Sequence, residues 1–233
     1  MGSARLPGKA LIPINGKPLL RRLSDRLRAV RRVSSIVVAT SDQPADQQIE
    51  DACRSWGVPV MRGPETDVLT RFLQVADAWH FDNIVRVTGD NPLTDPEGID
   101  ELVGTLEEGD SDIVHNAYRG GYPYGTGAEL FRVRVLRDCD QTVSDLEWRE
   151  NVFAYARQRP QRFLCRQVAA PADLYRPGYF LTVDYAEDKV LLEHIYAHFD
   201  GEDTVSLRAV VGLLDDRPEL AGLNAHLHQP FPE

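Results

Sequence analysis

Short runs of β-branched residues alternate with stretches of helical spacing along most of the chain, and this alternation limits the fold more than any other feature. Pro18 suits the first turn of a helix. Leu19, Leu20, Leu23, Leu27 and Val30 continue it, with arginines between them. Residues 35–40 form a β-branched run that reads as a buried strand. Residues 46–56 read as a helix closed by Gly57, and residues 58–61 as a short strand. Leu69, Leu73, Ala76 and Trp79 predict a helix over 67–80. Residues 83–88 read as the next strand, running into Gly89-Asp90-Asn91-Pro92-Leu93. A helix over 97–107 and a strand over 112–115 follow. Residues 118–127 are a Gly/Tyr-rich loop without a period, and 128–133 return to strand character. Residues 143–157 read as a helix stopped before Pro160, and 162–168 and 179–183 as strands. Residues 186–199 read as an amphipathic helix, Ser206 caps another, and the tail from Asn224 reads as irregular. Strands and helices in alternation predict an α/β fold with a mixed, mostly parallel sheet. Such sheets bind ligands at the carboxyl ends of their strands.

The chain has 233 residues, enough for one such domain, and no repeat or linker divides it. A single domain over residues 1–233 is therefore expected, with residues 118–135 a candidate lid or dimer contact. The net charge of −10 argues against a nucleic-acid partner, because phosphate backbones demand a basic face. No apolar run reaches the ~18 residues of a membrane helix, and residues 1–9 hold no signal-peptide core. A cytoplasmic location is the expectation. The three cysteines, Cys53, Cys139 and Cys165, match no zinc spacing and read as free thiols.

Three segments carry candidate chemistry. The opening stretch Gly2-Ser3-Ala4-Arg5-Leu6-Pro7-Gly8-Lys9 combines glycines, which let backbone N–H groups approach phosphate oxygens, with a guanidinium and an ammonium. It is not a Walker loop. Taken alone, it reads equally as a solvated basic terminus. Asp90 lies in a turn just after a strand, where it could ligate a hard cation or simply close an Asx turn. Asp184, just after another strand, could do the same or cap the following helix with Glu187. Together, a basic loop and two strand-end aspartates form the parts list of a nucleotide–Mg²⁺ site.

The run Ser3-Ala-Arg5-Leu-Pro-Gly-Lys9 resembles the opening signature of the sialic-acid and 3-deoxy-manno-octulosonate cytidylyltransferases. A closer resemblance is to the spore-coat polysaccharide cytidylyltransferases, within the same superfamily. It is carried in order by Val37–Ser41, Arg62–Arg71, Arg86–Asp95, Tyr122–Phe131, Arg149–Asn151 and Thr182–Asp188. The resemblance implies a three-layer, Rossmann-like nucleotide-diphospho-sugar transferase fold. It also implies transfer of CMP from CTP to a sugar, of the 2-keto sugar acid kind or related, with release of pyrophosphate. By that resemblance Arg5 and Lys9 hold the triphosphate, and Gly2, Ser3 and the loop backbone line the nucleotide pocket. Arg71 also helps hold the nucleotide. Asp90 and Asp184 ligate Mg²⁺; Tyr122, Tyr124 and Glu129 face the sugar. A homodimer is implied as well.

The chain departs from the family pattern in three places. Family members have an apolar strand ahead of the opening loop, whereas here Met1 stands at the loop itself, so the expected sheet lacks its first strand. Tyr122-Pro-Tyr-Gly-Thr-Gly127 replaces a more acidic loop. Arg149-Glu-Asn151 stands where a Glu-His pair is common. Two other readings remain open on sequence: a sugar-1-phosphate nucleotidyltransferase using another nucleotide, or a non-catalytic nucleotide-binding scaffold. A glycosyltransferase, which also uses strand-end aspartates, is a further one.

Overall fold

The computed structural model describes residues 6–117 and 119–229. Gly2, Ser3 and Arg5 lie outside the described residues. The strands are β1 Pro13–Ile14, β2 Lys17–Pro18, β3 Val38–Ser41, β4 Val60–Gly63, β5 Asn83–Arg86, β6 Ile113–His115, β7 Glu129–Arg132 and β8 Cys165–Gln167. The helices are α1 Leu19–Leu27, α2 Gln47–Ser55, α3 Val68–Trp79, α4 Pro96–Glu107, α5 Val133–Thr142, α6 Leu146–Glu150, α7 Val152–Arg157, α8 Ala186–His198, α9 Leu207–Asp216 and α10 Pro218–Ala221. This is the expected α/β class, with a mixed sheet.

The ladders are separate. β1 and β2 form a hairpin whose turn, Asn15-Gly16, takes φ of 45° and 76°. Asn-Gly is the strongest short hairpin signal, because both turn positions need positive φ; the helix reading from Pro18 onward passed over it. β3 pairs with β4 in parallel. β5, β7, β6 and β8 form a second sheet in that order, with β7 antiparallel to both neighbours and β8 parallel to β6. Parallel and antiparallel pairings are thus more evenly divided than alternation implied, because β7 enters the sheet from a loop rather than a crossover helix. Among the described residues, no strand stands between β3 and β5.

Several local expectations are corrected. Residues 133–142 form helix α5, where the sequence suggests a strand ending at Val133 and no element over 134–142. Its buried Val135, Leu136 and Cys139 share a face, but Arg134, Arg137, Asp138 and Asp140 dilute the apolar period. The helix expected over 143–157 divides into α6 and α7 at Asn151, whose φ of −107° and ψ of 48° are not helical. Residues 179–183 form only a single bridge, Tyr124 to Phe180. Within the stretch 118–135, residues 129–132 are β7 in the middle of the sheet and 133–135 begin α5.

Two of the arginines between the leucines of α1 point inward. Arg22 donates to Ile14 O at 2.8 Å and to Asp203 Oδ1 at 2.7 Å, and its guanidinium lies over the Tyr196 ring. Arg26 donates to the carbonyls of Thr94, Val205 and Asp203 at 2.7, 2.7 and 2.9 Å. Buried guanidinium groups persist when most of their donors are met, and only Arg26 Nη2 of this pair lacks a partner. Here they tie α1 to the segment after Asp90 and to the loop before α9. The largest apolar cluster, with Leu93, Val183, Leu191, Ile195 and Val210, lies beneath the same region and packs α8 and α9 behind it.

Candidate active site

The turn after β5 and the turn before α8 meet. Val183 N donates to Asp90 O at 3.0 Å, joining the two backbones where both aspartates emerge. Lys9 sits in the short helical turn Lys9–Leu11 and reaches both carboxylates. Its Nζ lies 2.6 Å from Asp90 Oδ2, 2.9 Å from Asp184 Oδ1 and 3.1 Å from Val183 O. Burial works against the ammonium charge, but the Asp90 carboxylate, and then Asp184, outweigh it and hold the Lys9 pKa above its ordinary value. Residues 9, 90 and 184, separated by most of the chain, thus form one cluster. Two carboxylate oxygens already converge on a single cationic atom, which is the donor set a hard divalent ion takes before phosphate oxygens and water complete its shell.

Asp184 owes its place to Asp188. The Asp188 carboxylate is fully buried and accepts from Asp184 N at 2.7 Å and Tyr185 N at 2.8 Å through Oδ2. Its Oδ1 accepts from Asn224 Nδ2 at 2.7 Å and lies 2.7 Å from His228 Nε2. The capping carboxylate of α8 is therefore Asp188, not Glu187, and Tyr185 rather than Asp184 takes the N-cap position. This leaves the Asp184 side chain turned to the cluster. Asn224 and His228 bring the tail, which sequence reading set aside as irregular, to the back of the site.

A cavity of about 340 Å³ opens in front of the cluster. Beside Lys9, Asp90 and Asp184 it is lined by Arg86, Thr88, Asn91, Tyr124, Glu129 and Thr182, with the small residues Ala117, Gly125, Gly127 and Ala128. Glu129 is buried on β7 and accepts from Arg86 Nη1 of β5 at 2.7 Å, while its Oε1 has no hydrogen-bond partner. Two glycines make the far wall. A Cβ on Gly125, whose φ is 86°, would lie 2.6 Å from Thr182 N, and one on Gly127 would lie 2.5 Å from the Ala117 Cα. Only glycine permits these approaches. Tyr124 N donates to Tyr179 O and Leu181 N to Tyr124 O, both at 2.8 Å, so the loop is fastened to the segment that leads to Asp184.

The structure brings Lys9, Asp90, Asp184, Tyr124 and Glu129 to one cavity. Tyr122 is instead packed in the core, where burial pushes its hydroxyl up to about 12. It lines a neighbouring cavity of about 430 Å³ with Tyr124, Tyr175, Arg119 and Phe180. Arg71 is not at the cluster. Its Nη1 donates to the carbonyls of Pro64 and Glu65, both at 3.2 Å, and it lines the space between β3 and β5. Arg149 ties Asp67, Thr70 and Asp140 together away from the cavity. Sequence reading missed Arg86, Thr88, Asn91, Thr182 and Asp188. Thr88 and Asn91 flank Asp90 and Thr182 precedes Asp184, so proximity to the aspartates was the available signal. Cys53 and Cys139 are buried free thiols, both pushed up to about 11 by burial, which suits a packing role. No helix among the described residues is long and apolar enough to cross a membrane.

Comparison with known proteins gives this geometry a family. A cytidylyltransferase family model matches residues 1–196. The spore coat polysaccharide biosynthesis protein SpsF of Bacillus subtilis is 34% identical over 227 residues, covering 95% of this chain and 93% of that protein. A cytidylyltransferase structure from Leptospira borgpetersenii superposes with a TM-score of 0.88 at 27% identity, covering 95% of this chain and 92% of that one. The CMP:2-keto-3-deoxy-manno-octonic acid synthetase, solved in complex with CTP, shares the fold at a TM-score of 0.64 and 19% identity, covering 85% and 95%. The likenesses and the carboxylate cluster define an enzyme, a nucleotidyltransferase. More narrowly, the chain belongs to the cytidylyltransferase family.

Proposed function

We propose that the chain transfers CMP from CTP to a hydroxyl of a small sugar, of the 2-keto sugar acid kind or related, and releases pyrophosphate. The observation that carries this reading is the convergence of Asp90 Oδ2 and Asp184 Oδ1 on the Lys9 ammonium. Carboxylates that hold one cation so closely can hold another. Asp90 and Asp184 would hold Mg²⁺, which when bound supplies charge neutralisation at the reacting phosphate.

The protein's own task is positioning and charge. Lys9, at the mouth of the same carboxylate pair, would donate to triphosphate oxygens. Arg5 of the opening loop adds a guanidinium for the same oxygens, and Gly2 and Ser3 add backbone and hydroxyl donors. Thr88, Asn91 and Thr182 border the cavity with neutral donors that can fix a phosphate or sugar without changing the charge balance. Tyr124 and Glu129 line the same cavity and would receive the sugar. Glu129 Oε1, buried and unmet, can accept from a sugar hydroxyl. Tyr122 would contribute through the adjoining aromatic cavity rather than by direct contact at the carboxylates. The same reading takes the chain as one domain in the cytoplasm, with a homodimer implied by the family resemblance alone.

A panel of nucleotides against 2-keto sugar acids, with pyrophosphate release as the readout, tests the proposal. CTP with a sugar acid and Mg²⁺ is expected to give turnover. Turnover only with another nucleotide and a sugar 1-phosphate would replace it.

A further inference from the structure

Two side chains of the C-terminal tail touch the same two residues. Asn224 Nδ2 donates to Phe180 O at 2.8 Å and to Asp188 Oδ1 at 2.7 Å. His228 stacks on the Phe180 ring, with centroids 4.8 Å apart and planes 13° from parallel, while its Nε2 lies 2.7 Å from Asp188 Oδ1. A carboxylate surrounded by donors only accepts, so that ring nitrogen carries the proton. The short helical turn Ala225–Leu227 lies between the two tail residues. Asn224 is fully buried and the His228 side chain is 8% exposed, so the tail inserts polar groups that a loosely laid terminus would leave in water.

The residues they grip lead to two parts of the cavity wall. Asp188 Oδ2 holds the amides of Asp184 and Tyr185 at 2.7 and 2.8 Å, which sets the Asp184 carboxylate. Phe180 stands between Tyr179 and Leu181, whose backbones bond that of Tyr124 at 2.8 Å each. The Tyr124 ring lies 6.0 Å from the Phe180 ring and 6.3 Å from the His228 ring. The tail thus reaches the Asp184 turn through hydrogen bonds and the Tyr124 loop through a stacked ring. The cytidylyltransferase family match ends at residue 196, short of both tail residues.

We propose that Asn224 and His228 are positioning residues that lock the Asp184 turn and the Tyr124 loop to one another, so that the cation site and the acceptor site take their shape together. The parts given to cation and acceptor rest on the function proposed above; the clamp itself rests on the contacts alone. His228 makes two separable contacts, a polar one that serves Asp184 and a stacked one that serves Tyr124.

Two substitutions in the full chain separate these contacts. His228→Gln keeps an amide donor for Asp188 and loses the ring, whereas His228→Phe keeps the ring and loses the donor. Hydrogen exchange read by NMR without substrate is the first measurement. In His228→Phe the Asp184 and Tyr185 amides are expected to exchange about tenfold faster, while those of Tyr124 and Leu181 keep their wild-type rates. In His228→Gln the pattern reverses. A tail that only adds stability would speed all these amides together as the urea midpoint falls, and that uniform response would overturn the proposal. Wild-type rates in both variants would overturn it too. In turnover assays His228→Phe should raise the Mg²⁺ half-saturation by about tenfold, and His228→Gln the acceptor KM by a similar factor. The CTP KM at saturating Mg²⁺ should stay within about twofold of wild type in both. Unchanged Mg²⁺ and acceptor constants beside split exchange would overturn the link to the reaction. Split exchange in a chain whose wild type turns over no acceptor would support the clamp and overturn the transferase reading instead.

Discussion

Three side chains decide the site's electrostatics, and each has a distinct expected phenotype. Asp90→Asn keeps the shape of its turn but removes one of two charges facing the cation. Turnover is expected to fall by about a hundredfold or more, as for other preorganised charge contacts, with the fold intact by circular dichroism. Lys9→Met removes the ammonium that now bridges the carboxylates at 2.6 and 2.9 Å. The CTP KM should rise strongly, while Mg²⁺ titrated without nucleotide should bind at least as tightly as in the wild type, because its competitor is gone. Weaker Mg²⁺ binding in that variant would count against Asp90 and Asp184 as a metal site. Arg86→Met strips the partner of buried Glu129 and leaves an uncompensated carboxylate on β7. Loss of a buried partner costs roughly 3 kcal/mol, read as a lower urea midpoint.

At the scale of elements, the turn before α8 rests on Asp188, whose carboxylate meets two backbone amides, Asn224 and His228. Asp188→Ala should both destabilise the protein and release Asp184, so kcat is expected to drop more than the CTP KM changes. His115 of β6 is buried against Phe153, and burial pushes its pKa down to about 4 from 6.5. The unfolded chain therefore binds a proton between those values that the folded chain refuses. Stability from this residue is full above about pH 6.5 and is lost as the pH falls toward about 4, by on the order of 2–3 kcal/mol. His115→Leu should flatten that part of the urea-midpoint profile between pH 7 and pH 4.5, whatever its effect at neutral pH. Most elements were legible from the sequence because periodicity and caps agree locally: Asp67, Asp95 and Ser206 each accept the capping bond that their position suggests. Helix α5 was not, since its charged residues mask the period. The strand over 179–183 was not either, because its apolar residues pack into the core without a ladder to join.

For the whole molecule, the gap between β3 and β5 is where local reading and global structure meet. Among the described residues β3 and β5 belong to separate ladders, and Leu20, Leu23, Phe72 and Val75 line the space between them. The carboxylate cluster was legible in a different way. Asp90 follows β5 as the sequence suggests, whereas Asp184 follows no ladder strand and is brought beside it by the Val183 N to Asp90 O bond. What no spacing could show is that Lys9 spans them, or that Arg71 turns instead toward the Pro64 and Glu65 carbonyls. Those are facts of packing between segments distant in the chain.

The most direct measurement is calorimetric titration of CTP into the wild-type chain and into Asp90→Asn and Asp184→Asn, with and without Mg²⁺. Metal-dependent binding in the wild type, lost or severely weakened in both variants, is the predicted result. CTP binding that ignores Mg²⁺ and survives both substitutions unchanged would contradict the account.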